Sequence, residues 1–185
     1  MATQPEYRLL TVEDFLAIDF GEQKAELDNG VIRMIAGARA RHNRVVLNIQ
    51  MALASRLTGT GCTPYGSDMG IRTHDHSLRY PDVAVLCGHD GPDDDDARTF
   101  DDPRVLFEVL SAGTARTDLR EKLEEYRKLP SVDTIVFVDI ATERHRIVQR
   151  TGRTGWTEEA HEEPVDLALP SLGVALPHAE IFARG

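Results

Sequence analysis

The chain is poor in cysteine, in long apolar runs and in positive charge. Cys62 and Cys87 are its only cysteines, and neither sits in a CxxC or Cys/His spacing. That pattern excludes a zinc finger or ribbon and predicts no disulfide framework. No apolar stretch approaches the roughly 18 residues a membrane span requires. The start, MATQPEYRLL, has no basic segment followed by an apolar one, so a cytoplasmic protein without membrane contact is expected. Ser111 lies in no GxSxG elbow, which argues against a serine hydrolase. No repeat and no linker divides the chain, and a single domain over residues 1–185 is expected.

Positive charge is scarce overall: 21 Lys and Arg face 31 Asp and Glu, a net charge of −10. Such an average disfavours nucleic acid as a partner. It is unevenly spread, however. Seven arginines from Arg33 to Arg79 face only Asp68 and Asp75, whereas acids dominate from Asp90 to Glu125. An acidic protein of this kind can still present one basic face.

Local patterns outline the elements. Thr11 and Asp14 form a capping-box spacing ahead of VEDFLAIDF, a short helix. Asn29-Gly30 between alternating segments predicts a hairpin pairing residues 24–28 with 31–36. The stretch RHNRVVLNIQMALASRLTG predicts a long helix with an apolar stripe of Val46, Ile49, Leu53 and Leu57, stopped by Gly59. YGSDMGIRT and SLRYPDVAVLC read as strands, and the loop GHDGPDDDDARTFDDP reads as a solvated connector without EF-hand register. RVLFEVLS, TIVFVDI, RHRIVQRT and GWTEEA read as strands, with DLREKLEEYRKL a helix before Pro130. The order predicts a mixed α+β or α/β fold, a mixed sheet flanked by helices.

Within RVLFEVLS, Glu108 interrupts an otherwise apolar run, where an ionised carboxylate costs several kcal/mol or more unless compensated. Asp82, directly after Pro81, lies beside another apolar run. Two such carboxylates on neighbouring strands repel unless one binds a proton or both share a cation. Oxygen ligands of this kind suit magnesium or manganese. On the following helix Leu119, Leu123 and Tyr126 mark the inward face, and Lys122 lies three residues from Leu119 and four from Tyr126. Its ammonium can reach toward Glu108 or pair locally with Asp118. Glu108 can alternatively pair with Arg79 or Arg104. Glu26, one residue from a turn, reads equally as solvated or as part of the acidic set. His42 at a helix start reads slightly better as exposed. Arg39, Arg41 and Arg44 cluster at the same helix start, where phosphates dock well, or form a solvated face.

The ordered set of Pro81-Asp82, Glu108-Val109-Leu110-Ser111, Asp118, Lys122 and Tyr126 resembles the PD-(D/E)XK nuclease superfamily. More narrowly it resembles the Uma-type restriction-endonuclease-like family, with Glu26 before Asp28-Asn29-Gly30, His42 at a helix start and IVFVD ending at Asp139. The resemblance runs from about Leu9 to SLGVALPHAEIF. It implies a restriction endonuclease-like core and metal-dependent hydrolysis of phosphodiester bonds in DNA, with Mg²⁺ or Mn²⁺ as cofactor. Carried over by residue, Asp82, Glu108 and the Val109 carbonyl would hold the metal. Glu26 would complete the acidic set and Lys122 would serve the attacking water. His42, Arg41 and Arg44 would meet nucleic acid. Two departures stand out: Leu110 occupies the position where the superfamily places its lysine, and PSVDTIVFVD lacks the glycine the family usually has before the Val. One site per chain would favour a homodimer for cutting both strands. The alternatives are a non-catalytic module binding nucleic acid or protein, and a metal-dependent phosphoesterase acting on another substrate.

Overall fold

The computed structural model describes residues 8–89, 91, 94–111 and 116–184, with side chains of the last span from Leu119 onward. Helix α1 (Val12–Leu16) opens with the expected capping box: Asp14 N–H donates to the Thr11 hydroxyl at 3.1 Å, and Thr11 N–H to Asp14 Oδ2 at 3.0 Å. Strands β1 (Lys24–Asp28) and β2 (Val31–Ile35) form the expected hairpin, with Asn29 and Gly30 both at positive φ. Such a turn matches the natural twist of paired strands. Helix α2 (Ala40–Leu57) buries Val45, Ile49, Ala52, Leu53 and Leu57, so its stripe begins at Val45 rather than at the half-buried Val46.

Next come β3 (Cys62–Gly66), β4 (Gly70–His74), β5 (Ser77–Arg79) and β6 (Val83–Cys87). Two single strands were expected here, and the chain makes four. The second break has a clear cause: Pro81 has no N–H and forces its predecessor out of regular pairing, so the ladder stops. β5 and β6 then join different sheets. The acidic loop is more structured than a solvated connector. It carries β7 (Thr99–Phe100), paired parallel to β4, a buried Phe100, and His89 bonded to Asp102 at 2.8 Å and to Asp94 at 3.3 Å. Residues 90, 92 and 93 of that loop lie outside the described residues.

The remaining elements are β8 (Val105–Leu110), α3 (Arg116–Lys128), β9 (Thr134–Asp139), β10 (Arg144–Arg150), β11 (Trp156–Ala160), β12 (Leu167–Leu169), β13 (Val174–Leu176) and α4 (His178–Ile181). One sheet runs β11-β10-β9-β8-β6-β3, and another runs β2-β1-β5-β4-β7. β8 and β9 are parallel and joined through α3, the long crossover that parallel strands require. The expected mixed sheet flanked by helices is therefore present. No helix among the described residues is long and apolar enough to cross a membrane.

Alternation sorts the six-stranded sheet into two cores. Val83, Val85, Val105, Phe107 and Val109 pack on the α2 side, while Ala84, Leu86 and Leu106 pack with Leu123 and Tyr126 of α3 and Leu129 just after it. By the same period of two, Glu108 shares the α3 side with Leu106.

The cysteines overturn one expectation: Cys62 and Cys87 face each other in the β3–β6 register and form a disulfide. Sequence spacing alone does not reveal strand register, so the pairing was invisible beforehand. The bond closes a loop of 25 residues in sequence. On the chain-entropy account, Cys62→Ser is expected to cost about 3 kcal/mol. A urea midpoint equal to that of the wild type under oxidising conditions would show that the two thiols are not joined.

Candidate active site

Strand register brings the carboxylates together. β6 and β8 pair antiparallel with Val83 opposite Phe107, so one step further Asp82 comes opposite Glu108. The Val109 N–H donates to Asp82 Oδ2 at 2.7 Å, which fixes the Asp82 side chain against β8. His42, in the first turn of α2, places Nε2 3.3 Å from Asp82 Oδ1. Its side chain is only 13% exposed, so the solvent-facing His42 expected from the sequence is corrected. The hydrogen bond to Asp82 raises the His42 pKa above its ordinary value, with burial opposing.

Glu108 is buried, and the Tyr126 hydroxyl donates to its Oε1 at 2.7 Å. Lys122 Nζ lies 3.4 Å from the same oxygen and donates to Glu26 Oε1 at 3.0 Å. Neither Arg79 nor Arg104 pairs with Glu108. Lys122 and Tyr126 lie four residues apart and face the sheet together, which lets one helix turn meet one carboxylate from two directions. Burial is the main reason that the Glu108 pKa is pushed up to about 7. Lys122 opposes the rise and Asp82 adds to it. Burial and then the Glu108 charge also raise the Tyr126 pKa, which keeps that hydroxyl a donor.

Glu26 is 5% exposed, not solvated. Besides Lys122 it accepts the Tyr80 N–H at 3.0 Å on Oε1, and its Oε2 lies 3.5 Å from Arg79. Arg79 is fully buried and grips Glu125 with both arms, Nε to Oε2 at 2.8 Å and Nη2 to Oε1 at 2.7 Å. The same Nη2 donates to Asp28 at 2.7 Å, and Thr73 donates to Glu125 at 2.9 Å. Sequence reasoning missed Glu125 and Asp28 and offered Arg79 only as an alternative partner of Glu108. Glu125 was findable, because it lies three residues after Lys122 on the same helix face. The Asp118 side chain, a possible local partner of Lys122, lies outside the described residues.

Around this centre the arginines diverge. Arg41 is exposed and pairs with Glu143 at 2.9 Å, while Arg44 is exposed on the next turn. Arg39 caps α2 through its backbone only.

The donor set can be weighed against a metal. Among the described residues no three or more His, Cys, Asp or Glu side chains are grouped to hold an ion. Asp82 and Glu108 nevertheless supply paired hard oxygens at 17% and 9% side-chain exposure. Both recorded contacts of Glu108 fall on Oε1. Two carboxylates, a backbone carbonyl and water make a fitting set for magnesium, which keeps several of its waters. Glu26, with both oxygens engaged by Lys122, Tyr80 and Arg79, fits poorly as a ligand.

The six-stranded and five-stranded sheets with their flanking helices make a mixed α+β fold. The described crystal structure of "a putative nuclease belonging to DUF820" from Anabaena variabilis ATCC 29413 superposes with a TM-score of 0.78, covering 94% of this chain and 98% of that one at 16% identity. Residues 12–178 match the Uma2 family, described as "Putative restriction endonuclease", and the chain belongs to that family. It is also 28% identical over 151 residues to "Uncharacterized protein sll1609" of Synechocystis sp. strain PCC 6803, spanning 80% of this chain and 85% of that protein.

Proposed function

We propose that the chain is a metal-dependent endonuclease that hydrolyses phosphodiester bonds in DNA, with Mg²⁺ or Mn²⁺ as cofactor. The observation that carries this reading is that Asp82, just ahead of β6 and bonded to the Val109 N–H, stands opposite Glu108 of β8, whose carboxylate Lys122 of α3 meets at 3.4 Å. A divalent cation there would neutralise phosphate oxygens and acidify a bound water. Asp82, Glu108 and the Val109 carbonyl would hold it. Lys122 would orient the attacking water and offset charge growing on the phosphate. Tyr126 holds the Glu108 carboxylate in place, and His42 holds Asp82. Arg44 and Arg41, at the start of α2, would meet the DNA backbone, where a helix N-terminus adds favourable field. A homodimer acting in the cytoplasm belongs to the same proposal, since one site serves one strand.

Supercoiled plasmid nicking with Mg²⁺ or Mn²⁺ is the direct test. Wild type should nick, while Asp82→Ala and Glu108→Ala, purified identically, should lose at least about a hundredfold in rate. Equal nicking by all three would trace the activity to a contaminant. One observation favours a second reading: the Lys122 ammonium is already engaged by Glu26 and Glu108. A binding module of degenerate nuclease fold would show no metal-dependent nicking, yet bind DNA in a salt-dependent way that Arg44→Glu weakens.

A further inference from the structure

Arg79 lies outside the set of groups that would touch the metal or the phosphate. It is nonetheless fully buried and meets carboxylates from two elements. Glu125 comes from α3, and Glu26 and Asp28 come from β1. Each contact bears on Lys122. Glu125 sits one residue before Tyr126 and three after Lys122, so pinning it pins the helix turn that carries both. Glu26 takes Lys122 on Oε1 and faces Arg79 with Oε2, so its carboxylate is oriented from both ends.

We propose that Arg79 is a positioning residue, gripping Glu125 and Glu26 so that the Lys122 ammonium is held against Glu108. The proposal rests on the nuclease reading for its catalytic consequence, but not for its geometry. Without the guanidinium, Glu26, Asp28 and Glu125 keep, among the described residues, only Lys122 and Arg33 as paired cations. Lys122 is then drawn toward Glu26 and away from Glu108, and the turn of α3 bearing it loses its anchor. A planar, forked guanidinium suits this task in a way that an ammonium does not, because it satisfies two carboxylates at once in fixed directions.

The chain offers a readout that does not depend on activity. It has only three lysines, Lys24, Lys122 and Lys128. Lys122 is buried, Lys128 is exposed, and Lys24 is half-buried at Ser67 and Asp68. Brief acetylation with an amine-reactive ester, read by peptide mass spectrometry, should label Lys128 readily and Lys122 hardly at all in the wild type. Arg79→Met should raise Lys122 labelling about tenfold, with Lys24 and Lys128 unchanged. Because Arg79→Met leaves three carboxylates short of a partner and can fail to fold, Glu125→Gln provides the second variant. It keeps Arg79 with Asp28 and Glu26 and should raise Lys122 labelling by a smaller factor in a folded protein. In plasmid cleavage, Glu125→Gln should lower kcat by about a hundredfold at most while leaving KM nearly unchanged.

Unchanged Lys122 labelling in folded Glu125→Gln overturns the proposal. So does an equal rise at all three lysines, which marks general loosening. Selective Lys122 exposure in the absence of any wild-type cleavage supports the placement by Arg79 and defeats the nuclease reading instead.

Discussion

Glu108→Gln is expected to abolish metal-dependent cleavage and, above pH 7, to make the metal-free protein more stable than wild type. The cause lies in where the carboxylate sits. Burial holds its folded-state pKa at about 7 against an ordinary 4.5. Lys122 and the Tyr126 hydroxyl favour the ionised form, while Asp82 and Glu26 oppose it. Between those two pH values the folded chain binds a proton that the unfolded chain has released. Wild-type stability therefore falls as pH rises through that window, and the full penalty persists above it. Its size is on the order of 3 kcal/mol. Glutamine carries no charge to bury and can still accept from Tyr126, although it gives up the ion pair with Lys122. The stability difference between variant and wild type should thus move in the variant's favour from pH 5 to pH 8. Urea unfolding at the two pH values measures it. A difference that stays constant with pH would mean that Glu108 titrates as an ordinary surface carboxylate.

Lys122→Met should have the opposite sign for stability and the same sign for activity. The substitution takes from Glu108 its paired cation and leaves Glu26 with Arg79 and the Tyr80 N–H, and removing one partner from such a buried cluster costs about 3–5 kcal/mol. Because the Lys122 charge holds the Glu108 pKa down, its loss should also leave more of Glu108 protonated at neutral pH. Adding Glu26→Gln removes one of the carboxylate charges that Lys122 offset and should recover part of the stability. It should recover no cleavage if Lys122 serves the attacking water as proposed, since nothing then replaces its ammonium. Denaturant titration alongside single-turnover cleavage separates the two effects. Activity that returns together with stability in the double variant would reduce Lys122 to a structural role.

The parts of the molecule governed by local pattern were legible in the sequence. The Thr11 capping box, the Asn29-Gly30 hairpin, the long α2 and the strand–helix–strand order of β8, α3 and β9 all rest on short-range rules. The meeting of Asp82 with Glu108 and Lys122 was also readable, because a period of two and a period of 3.6 place all three on facing surfaces. What escaped depends on contacts between distant segments. Glu26 is buried because Tyr80 and Arg79 come from β5 and its exit, and no pattern within residues 24–28 announces that neighbour. His42 looked exposed because its partner Asp82 is forty residues away. The disulfide and β7 depend on register in the same way.

The chain's passage between the two sheets constrains how this segment can change over time. Within four residues, Arg79 serves the carboxylates of β1 and α3, Tyr80 serves Glu26, and Asp82 stands opposite Glu108. Tyr80 contributes its backbone N–H, so its side chain can vary without loss of that bond. Length is another matter. A residue gained or lost between Arg79 and Asp82 would turn one of them to the opposite face, whatever its identity. Residues 79–82 should therefore tolerate exchange of Tyr80 for another aromatic that packs on the same apolar cluster while rejecting every insertion and deletion, a ruler more than a loop.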